Sequence, residues 1–337
     1  MFNFDEARFL AIQAGAMTLA SSIDRAVGGL LADGADSVFF LGTGGAGILM
    51  QPALQLLSHR CAFAAYSGLP AEIVITGHPR LGHKSIAVIP SISGTTEESV
   101  AALEFCKGRG ARIIALIGHA DTPLARGADF ALVNFAEDDT SCESLYLQSL
   151  LIALSIMKHR GEYHRYPLVV AELQRLPALL VAVRRAFEAQ AERFAESIKA
   201  EPYHILTGAG STWPEAFYYG MCILEEMQWI RTRPVHAADF FHGTLELLDK
   251  DVSLMVFKGE DALRPLVDRV EAFALNHTKK VAVFDSANFD LPGIGTETRA
   301  LISPVVLASV MERVSAHLQI KRSHPLTTRR YYKRVPY

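Results

Sequence analysis

Cysteine is scarce and scattered. The 337-residue chain has four, at Cys61, Cys106, Cys142 and Cys222, and no two stand close enough for a zinc site or a dithiol redox pair. They read as small buried hydrophobes in a reducing, cytoplasmic compartment. A charge excess is lacking too. Lys and Arg number 33 against 36 Asp and Glu, so the broad basic face that nucleic acid requires is excluded. The one basic concentration is the tail, Arg329-Arg330-Tyr331-Tyr332-Lys333-Arg334. Interleaved with aromatics, it reads as a strap packed on the protein; the alternative is a membrane or nucleic-acid patch. Long apolar runs are missing. No stretch is expected to reach the roughly 20 residues of a spanning helix, and Asp5 and Glu6 interrupt any signal-like segment. Asn276-His277-Thr278 fits a glycosylation acceptor that a cytoplasmic chain would not use. What remains, 50% hydrophobic and 20% charged, is globular composition with length for two domains.

What is present is a strand, a glycine turn and a helix, twice over. Apolar positions at three- and four-residue steps (Phe9, Ile12, Ala16, Leu19, Ile23, Val27, Leu30) predict one lead-in helix from Asp5 to about Leu31. Ser37 to Leu41 reads as a buried strand running into Gly42-Thr43-Gly44-Gly45-Ala46-Gly47 and a helix through Leu57. That opens a βαβ unit whose helix start offers backbone N–H groups to an anion. Phe63 to Tyr66 and Lys84 to Pro90 are strand-like, and the second leads into Ser91-Ile92-Ser93-Gly94-Thr95-Thr96-Glu97-Glu98 and a helix through Phe105. An N-cap would account for one of these hydroxyls. Ser91, Ser93, Thr95 and Thr96 together, around a glycine at the carboxyl end of a strand, predict a phosphate cradle, with Glu97 and Glu98 suited to the helix dipole. Further strands are expected over Ala111–Ile117 and Phe130–Val133, then long helices over Ser141–Met157 and Leu168–Ile198, interrupted near Pro167. Alternating strands and helices predict a parallel sheet covered on both faces.

The second half repeats the plan. Tyr203 to Thr207 is a strand, Gly208-Ala209-Gly210-Ser211-Thr212 a glycine turn, Val252 to Phe257 and Lys280 to Phe284 further strands, and Pro304 to Leu318 a closing helix. Where the first half has its hydroxyls, this half has Lys258-Gly259-Glu260-Asp261. Two α/β halves, one with a phosphate loop and one without, form an internal repeat.

Glu225 and Glu226 interrupt an otherwise apolar helix that includes Met221, Leu224, Trp229 and Ile230. Neighbouring helical residues point about 100° apart, so at most one of the two faces a given pocket. His242 follows between Phe240-Phe241 and Gly243. A carboxylate and an imidazole over one cavity can pass protons. The bland readings are a structural ion pair of Glu226 with Arg231 or Arg233, and a hydrogen-bonded core histidine.

Strand, Gly-Thr-Gly turn and Ser-x-Ser-Gly-x-Thr-x-Glu one unit later, followed by the same topology again, resemble tandem sugar isomerase (SIS) domains. The resemblance spans most of the chain. It implies an α/β fold of two flavodoxin-like three-layer domains with parallel sheets: a helix and first domain at 1–165, a linking helix and second domain at 166–320, and a tail at 321–337 packing on them. Glu226-Met227-Gln228-Trp229-Ile230, His242 sixteen positions after Glu226, Phe240-Phe241-His242-Gly243 and His324-Pro325-Leu326-Thr327-Thr328-Arg329-Arg330-Tyr331 resemble, within that family, the fructosamine-6-phosphate deglycases. The glutamate-to-histidine spacing is shared with the isomerase half of glucosamine-6-phosphate synthase. Met1-Phe2-Asn3 leads directly into the first half, which argues against the glutaminase domain of that enzyme. About thirty residues before the first strand are too few for the DNA-binding domain of SIS-type regulators. Gly44 stands where many relatives carry serine, and Ser141-Cys142-Glu143-Ser144, near the sugar in relatives, departs from the familiar pattern.

The resemblance implies cleavage of an Amadori sugar 6-phosphate to glucose 6-phosphate and an amino acid. Glu226 would be the base at C1, helped by a pKa raised through desolvation, and His242 the acid. Gly42, Thr43, Gly44, Gly45, Ser91, Ser93, Thr95 and Thr96 would bind the phosphate end. No metal or organic cofactor is expected, because the C2 carbonyl stores the electrons. A homodimer with sites near the subunit interface is expected, His242 coming from either copy. The rivals are an aldose–ketose isomerase, an amino-sugar phosphate deaminase, and a sugar-phosphate sensor without activity. The amino acid and its linkage stay open.

Overall fold

The chain, for which a computed structural model describes residues 1–136, 142–332 and 334–335, divides into two compact units, Glu6–Pro177, and Met1–Asp5 with Ala178–Tyr337. The second unit thus includes the tail and the first five residues. Ser141, Lys333, Pro336 and Tyr337 lie outside the described residues.

In the first unit the lead-in is two helices, Glu6–Thr18 (α1) and Ala20–Ala32 (α2). The break has a local cause: the Thr18 hydroxyl donates to the Gly15 carbonyl at 2.7 Å, competing with the helical ladder. There follow Ser37–Leu41 (β1), Gly44–Ile48 (α3), Gln51–Arg60 (α4), Ala64–Gly68 (β2), Pro70–Thr76 (α5), Ser85–Ser91 (β3), Glu97–Gly108 (α6), Arg112–Ile117 (β4), Pro123–Gly127 (α7), Phe130–Val133 (β5), Cys142–His159 (α8) and Tyr166–Leu173 (α9). Pro167 opens α9 as a first-turn proline instead of interrupting it.

The five strands are parallel, in the order β2-β1-β3-β4-β5. β1 and β3 are buried along their whole length, as strands covered on both faces must be. One face packs Phe39, Ala87, Ile89, Ile113 and Ala115 against Ile73 of α5 and Leu103 and Cys106 of α6. The other, with Val38, Phe40, Ile86 and Val88, is also buried. The chain order reverses between β1 and β3, which makes their carboxyl ends the crevice where ligands bind in open α/β sheets.

The second unit contains Leu176–Ile198 (α10, whose first two residues still belong to the first unit), Tyr203–Gly208 (β6), Trp213–Tyr218 (α11), Arg231–His236 (β7), Ser253–Lys258 (β8), Arg264–Ala274 (α12), Val281–Asp285 (β9) and Thr296–Lys321 (α13). Its parallel sheet runs β7-β6-β8-β9, the order of the first four strands of the first sheet. The repeat is thus present at the level of topology. β7, Arg-Thr-Arg-Pro-Val-His, was not legible as a strand. It has three basic residues and a proline, which a sheet accommodates at its edge, where β7 lies. α12 packs Val267, Val270 and Ala274 on Ile205, Leu254 and Val256.

α13 corrects one expectation. It is long and apolar enough to cross a membrane, and Pro304 lies inside it instead of at its start. Its most apolar window is 89% buried in the protein, which makes it the core helix of this unit.

Candidate active site

β3 delivers Ser91 to its carboxyl end, and the chain then makes a tight loop before α6. Gly94 takes a left-handed φ of +63°. A Cβ there would come within 2.2 Å of Thr122 Oγ1, so only glycine fits. The Ser91 hydroxyl accepts from the Gly94 N–H at 3.1 Å and lies 2.9 Å from Thr96 Oγ1. Ser93 Oγ accepts from Thr95 Oγ1 at 3.1 Å and from its N–H at 3.3 Å. None of these hydroxyls is consumed as an N-cap: Thr96 precedes α6 without a side-chain capping bond. The first-turn N–H groups of α6 and a ring of hydroxyls therefore face one place, with Ser93 half-buried and Thr95 and Thr96 exposed. The loop is held from below, where Gly118 N–H donates to Ile92 O and Leu124 N–H to Gly94 O. Thr122 and Gly118, which the sequence did not single out, are the supports.

Across the same crevice, β1 ends in Gly42. A Cβ on Gly42 would lie 2.7 Å from Gly47 Cα, and one on Gly47 2.3 Å from Gly42 O, so both glycines permit the strand to pass directly into α3. Gly44 has φ +57° with open space around its Cβ position. A serine there would be penalised by backbone conformation, not by crowding. Thr43 is exposed, and Gly44 and Gly45 are half-buried. Gly42 to Gly45 and Ser91 to Thr96 thus come together at the β1/β3 switch point. Cys142, Glu143 and Ser144 are buried in the first turn of α8, where Gln13 Nε2 lies 3.5 Å from Glu143 Oε2.

The corresponding place in the second unit is filled. Ser211, after β6, donates its N–H and its hydroxyl to Asp261 Oδ2, each at 2.8 Å, and Leu263 N–H donates to Oδ1 at 2.9 Å. Around it Glu260 pairs with Arg299 at 2.7 Å, Lys258 with Glu271 at 2.5 Å, and Arg264 with Asp285. This crevice is internally neutralised.

Glu226 sits on a π-helical stretch, Tyr219–Met227, that continues α11. Such winding is rare and is found frequently at functional sites. The two carboxylates diverge as expected: Glu225 Oε1 accepts from Thr232 N–H and Oγ1 at 3.2 and 2.6 Å, whereas Glu226 Oε1 lies 3.0 Å from Arg329 Nε. The expected apolar burial of Glu226 is absent. Its side chain is 36% exposed and faces that guanidinium; two residues after the π stretch, Trp229 is exposed and has φ +57°. The tail covers this end as a strap: Arg330 stacks over Trp229 at 4.1 Å, His324 meets its edge at 4.5 Å, and the His324 carbonyl accepts from Gln228 at 2.8 Å. The ion partner of Glu226 is thus in the tail, not Arg231 or Arg233.

His242 is exposed, in a loop tied by the bond of its N–H to Asp239 O at 2.9 Å. It lines a cavity of about 520 Å³ with Trp213, Arg233, His236, Asp239 and Thr244. It is not a core histidine. Glu226 precedes β7 and His242 follows it.

Comparison with known families places the first unit. The SIS domain family matches residues 33–158. The match runs from just before β1 to the end of α8 and contains the whole hydroxyl cradle. Among curated proteins, the chain is 29% identical to the fructosamine deglycase FrlB of Bacillus subtilis, over 90% of this chain and 93% of that one. It is 25% identical to the fructoselysine 6-phosphate deglycase of Escherichia coli K12, over 88% and 85%. Among solved structures, a candidate phosphosugar isomerase of B. subtilis superposes with a TM-score of 0.88 at 28% identity, covering 95% of this chain and 99% of the other. The C-terminal domain of glucosamine-fructose-6-phosphate aminotransferase from Francisella tularensis, at 15% identity and TM-score 0.79, shares the fold. The matched region lies in the first unit, and the second unit repeats the order of its first four strands.

Proposed function

We propose that the protein is a deglycase that splits a fructosamine 6-phosphate into glucose 6-phosphate and a free amino acid. The observation that carries this reading is the asymmetry of the two switch-point crevices, one lined by hydroxyls bonded to one another and with no carboxylate among them, the other closed by its own carboxylate, in a chain whose curated relatives include fructosamine deglycases.

In this reading the phosphate takes the N–H groups of the α6 start with Ser91, Ser93, Thr95 and Thr96, and the Gly42–Gly45 turn faces it. Glu226 removes a proton from C1. The C1–H electron pair becomes a C1=C2 bond, and the carbonyl oxygen at C2 takes a proton from His242, giving an enaminol. Reprotonation at C2 moves the double bond to C1=N. Water then adds to the imine, and the C–N bond breaks to release the amine. Nothing is oxidised or reduced overall. Arg329 Nε, 3.0 Å from Glu226 Oε1, holds the carboxylate in place.

β7, at about 3.3 Å per residue, is roughly 20 Å long, with Glu226 before its start and His242 after its end. That spacing supports a site in which Glu226 of one copy works with the histidine of a second copy in a homodimer.

The deciding experiment is release of glucose 6-phosphate, read through its dehydrogenase, from a panel of fructosamine 6-phosphates. Turnover of at least one conjugate is expected, with Glu226→Gln and His242→Asn each lowering kcat by about 100-fold or more. An inert panel, with fructose 6-phosphate and glucosamine 6-phosphate bound but unchanged, would replace the enzyme by a sensor.

A further inference from the structure

Several charged groups of the second unit are paired. Arg264 meets Asp285, Arg299 meets Glu260, Arg313 meets Glu188, Lys258 meets Glu271 and Arg329 meets Glu226. The exposed charges around the cavity beside His242 are not paired. Arg233 uses Nε on Thr244 Oγ1 at 3.0 Å, and among the described residues its two Nη atoms, the Asp239 carboxylate and the His242 imidazole have no hydrogen-bond or ion-pair partner. The Arg233–Thr244 bond fixes the guanidinium on β7, with its fork left for another acceptor.

The remaining walls are apolar or neutral. Trp213 stacks on Phe217 with planes 2° apart, and His236 meets Trp213 edge-on at 5.6 Å. Burial lowers the pKa of His236, against the pull of Asp239. The cavity, about 520 Å³, thus offers one cation, one anion and an aromatic wall, next to the imidazole that serves the reacting end of the sugar. Whatever is attached to the C1 nitrogen must leave past that imidazole.

We propose that this cavity binds the amino-acid end of the conjugate as a free α-amino acid zwitterion, its carboxylate on Arg233 and its ammonium on Asp239. The sugar is then carried on a side-chain amine, because an α-linked conjugate has no free α-ammonium for Asp239 to hold. A simple alkylamine would leave both charged groups in the cavity without partners, and sites built for polar groups discriminate strongly against substrates that lack them. This inference rests on the deglycase reading and adds the substrate's leaving group to it.

The test compares three 6-phosphates: fructose linked to the ε-amine of lysine, to the α-amine of lysine, and to butylamine. Wild-type protein is expected to prefer the ε-linked conjugate over both others by at least tenfold in kcat/KM. In Arg233→Met the ratio of ε-lysine to butylamine conjugate falls toward one, and in Asp239→Asn the ratio of ε-linked to α-linked conjugate does the same. A ratio is unaffected by a loss of folded protein, and the two variants alter opposite ends of the zwitterion, so a structural role of one residue does not imitate the result. Turnover of all three at similar kcat/KM, or variant ratios within twofold of wild type, overturns the zwitterion site and leaves the deglycase standing. No turnover of any conjugate by the wild type overturns both.

Discussion

Ser211 gives both its backbone N–H and its hydroxyl to one carboxylate oxygen of Asp261. The two halves of the chain share a strand order, and in the half without the serine and threonine cluster this side chain supplies an anion of its own. The second crevice is thus occupied by a carboxylate of the chain, not empty.

A variant that removes this carboxylate should reopen the crevice. Asp261→Ala leaves three donors unpaired and is expected to cost about 2–4 kcal/mol of stability. Millimolar inorganic phosphate should restore part of that loss in Asp261→Ala while shifting wild type less. Thermal melts with and without phosphate read this, and an equal shift in both proteins would contradict it.

Gly94→Ala addresses the open crevice. The residue would need a left-handed φ and would drive its methyl into Thr122, so the loop must move. Affinity for fructose 6-phosphate should fall at least tenfold, with the Tm lowered by a few degrees at most because the damage is local to one loop. Titration calorimetry decides; unchanged affinity would detach the phosphate from this loop.

If the proton-transfer pair is completed across a dimer, inactive variants should rescue each other. Mixing Glu226→Gln with His242→Asn through dissociation and reassociation gives dimers in which one of the two sites is intact, and about a quarter of wild-type activity is expected at equal ratio. Two intact residues drawn from the same copy would give none.

Two groups, His204 buried and Glu188 half-buried, set an acid profile. Burial pushes the His204 imidazole down to about 4, where it is paired with Ser253 at 2.8 Å. The unfolded chain binds that proton near 6.5, so stability is full above that pH and falls as pH drops toward 4. Burial would raise the Glu188 carboxyl, yet bonds from Arg313, the Phe2 N–H and His317 outweigh it and hold it at about 2. Its contribution is present above about 4.5 and is lost toward pH 2. Denaturant midpoints across pH should show both declines, with Glu188→Gln removing the lower one.

Much of this was legible because glycine and hydroxyl chemistry is local. Gly42, Gly47, Ser91 and Gly94 declare a switch-point crevice within a few residues of sequence, and hydrophobic runs such as Val38 to Leu41 announce buried strands. What escaped depended on distant partners. β7 reads as polar because it is an edge. The burial of Glu226 could not be judged without Arg329, more than a hundred residues away, and the π winding beneath it has no local signature. The cavity around His242 needed Trp213 and Arg233 brought beside it from two elements.

The first five residues belong to the second unit. The Phe4 ring lies within cation–π range of both Arg184 and Arg313, guanidinium centres 5.1 and 5.4 Å away, and those two arginine side chains are wholly shielded from water. During synthesis the first unit can finish folding as it emerges, but this ring must wait for α13, some three hundred codons later, before its site exists. Vectorial synthesis thus leaves the second unit's completion as the last event, and a fragment begun at Ala178 would hold two buried cations without the ring that closes over them.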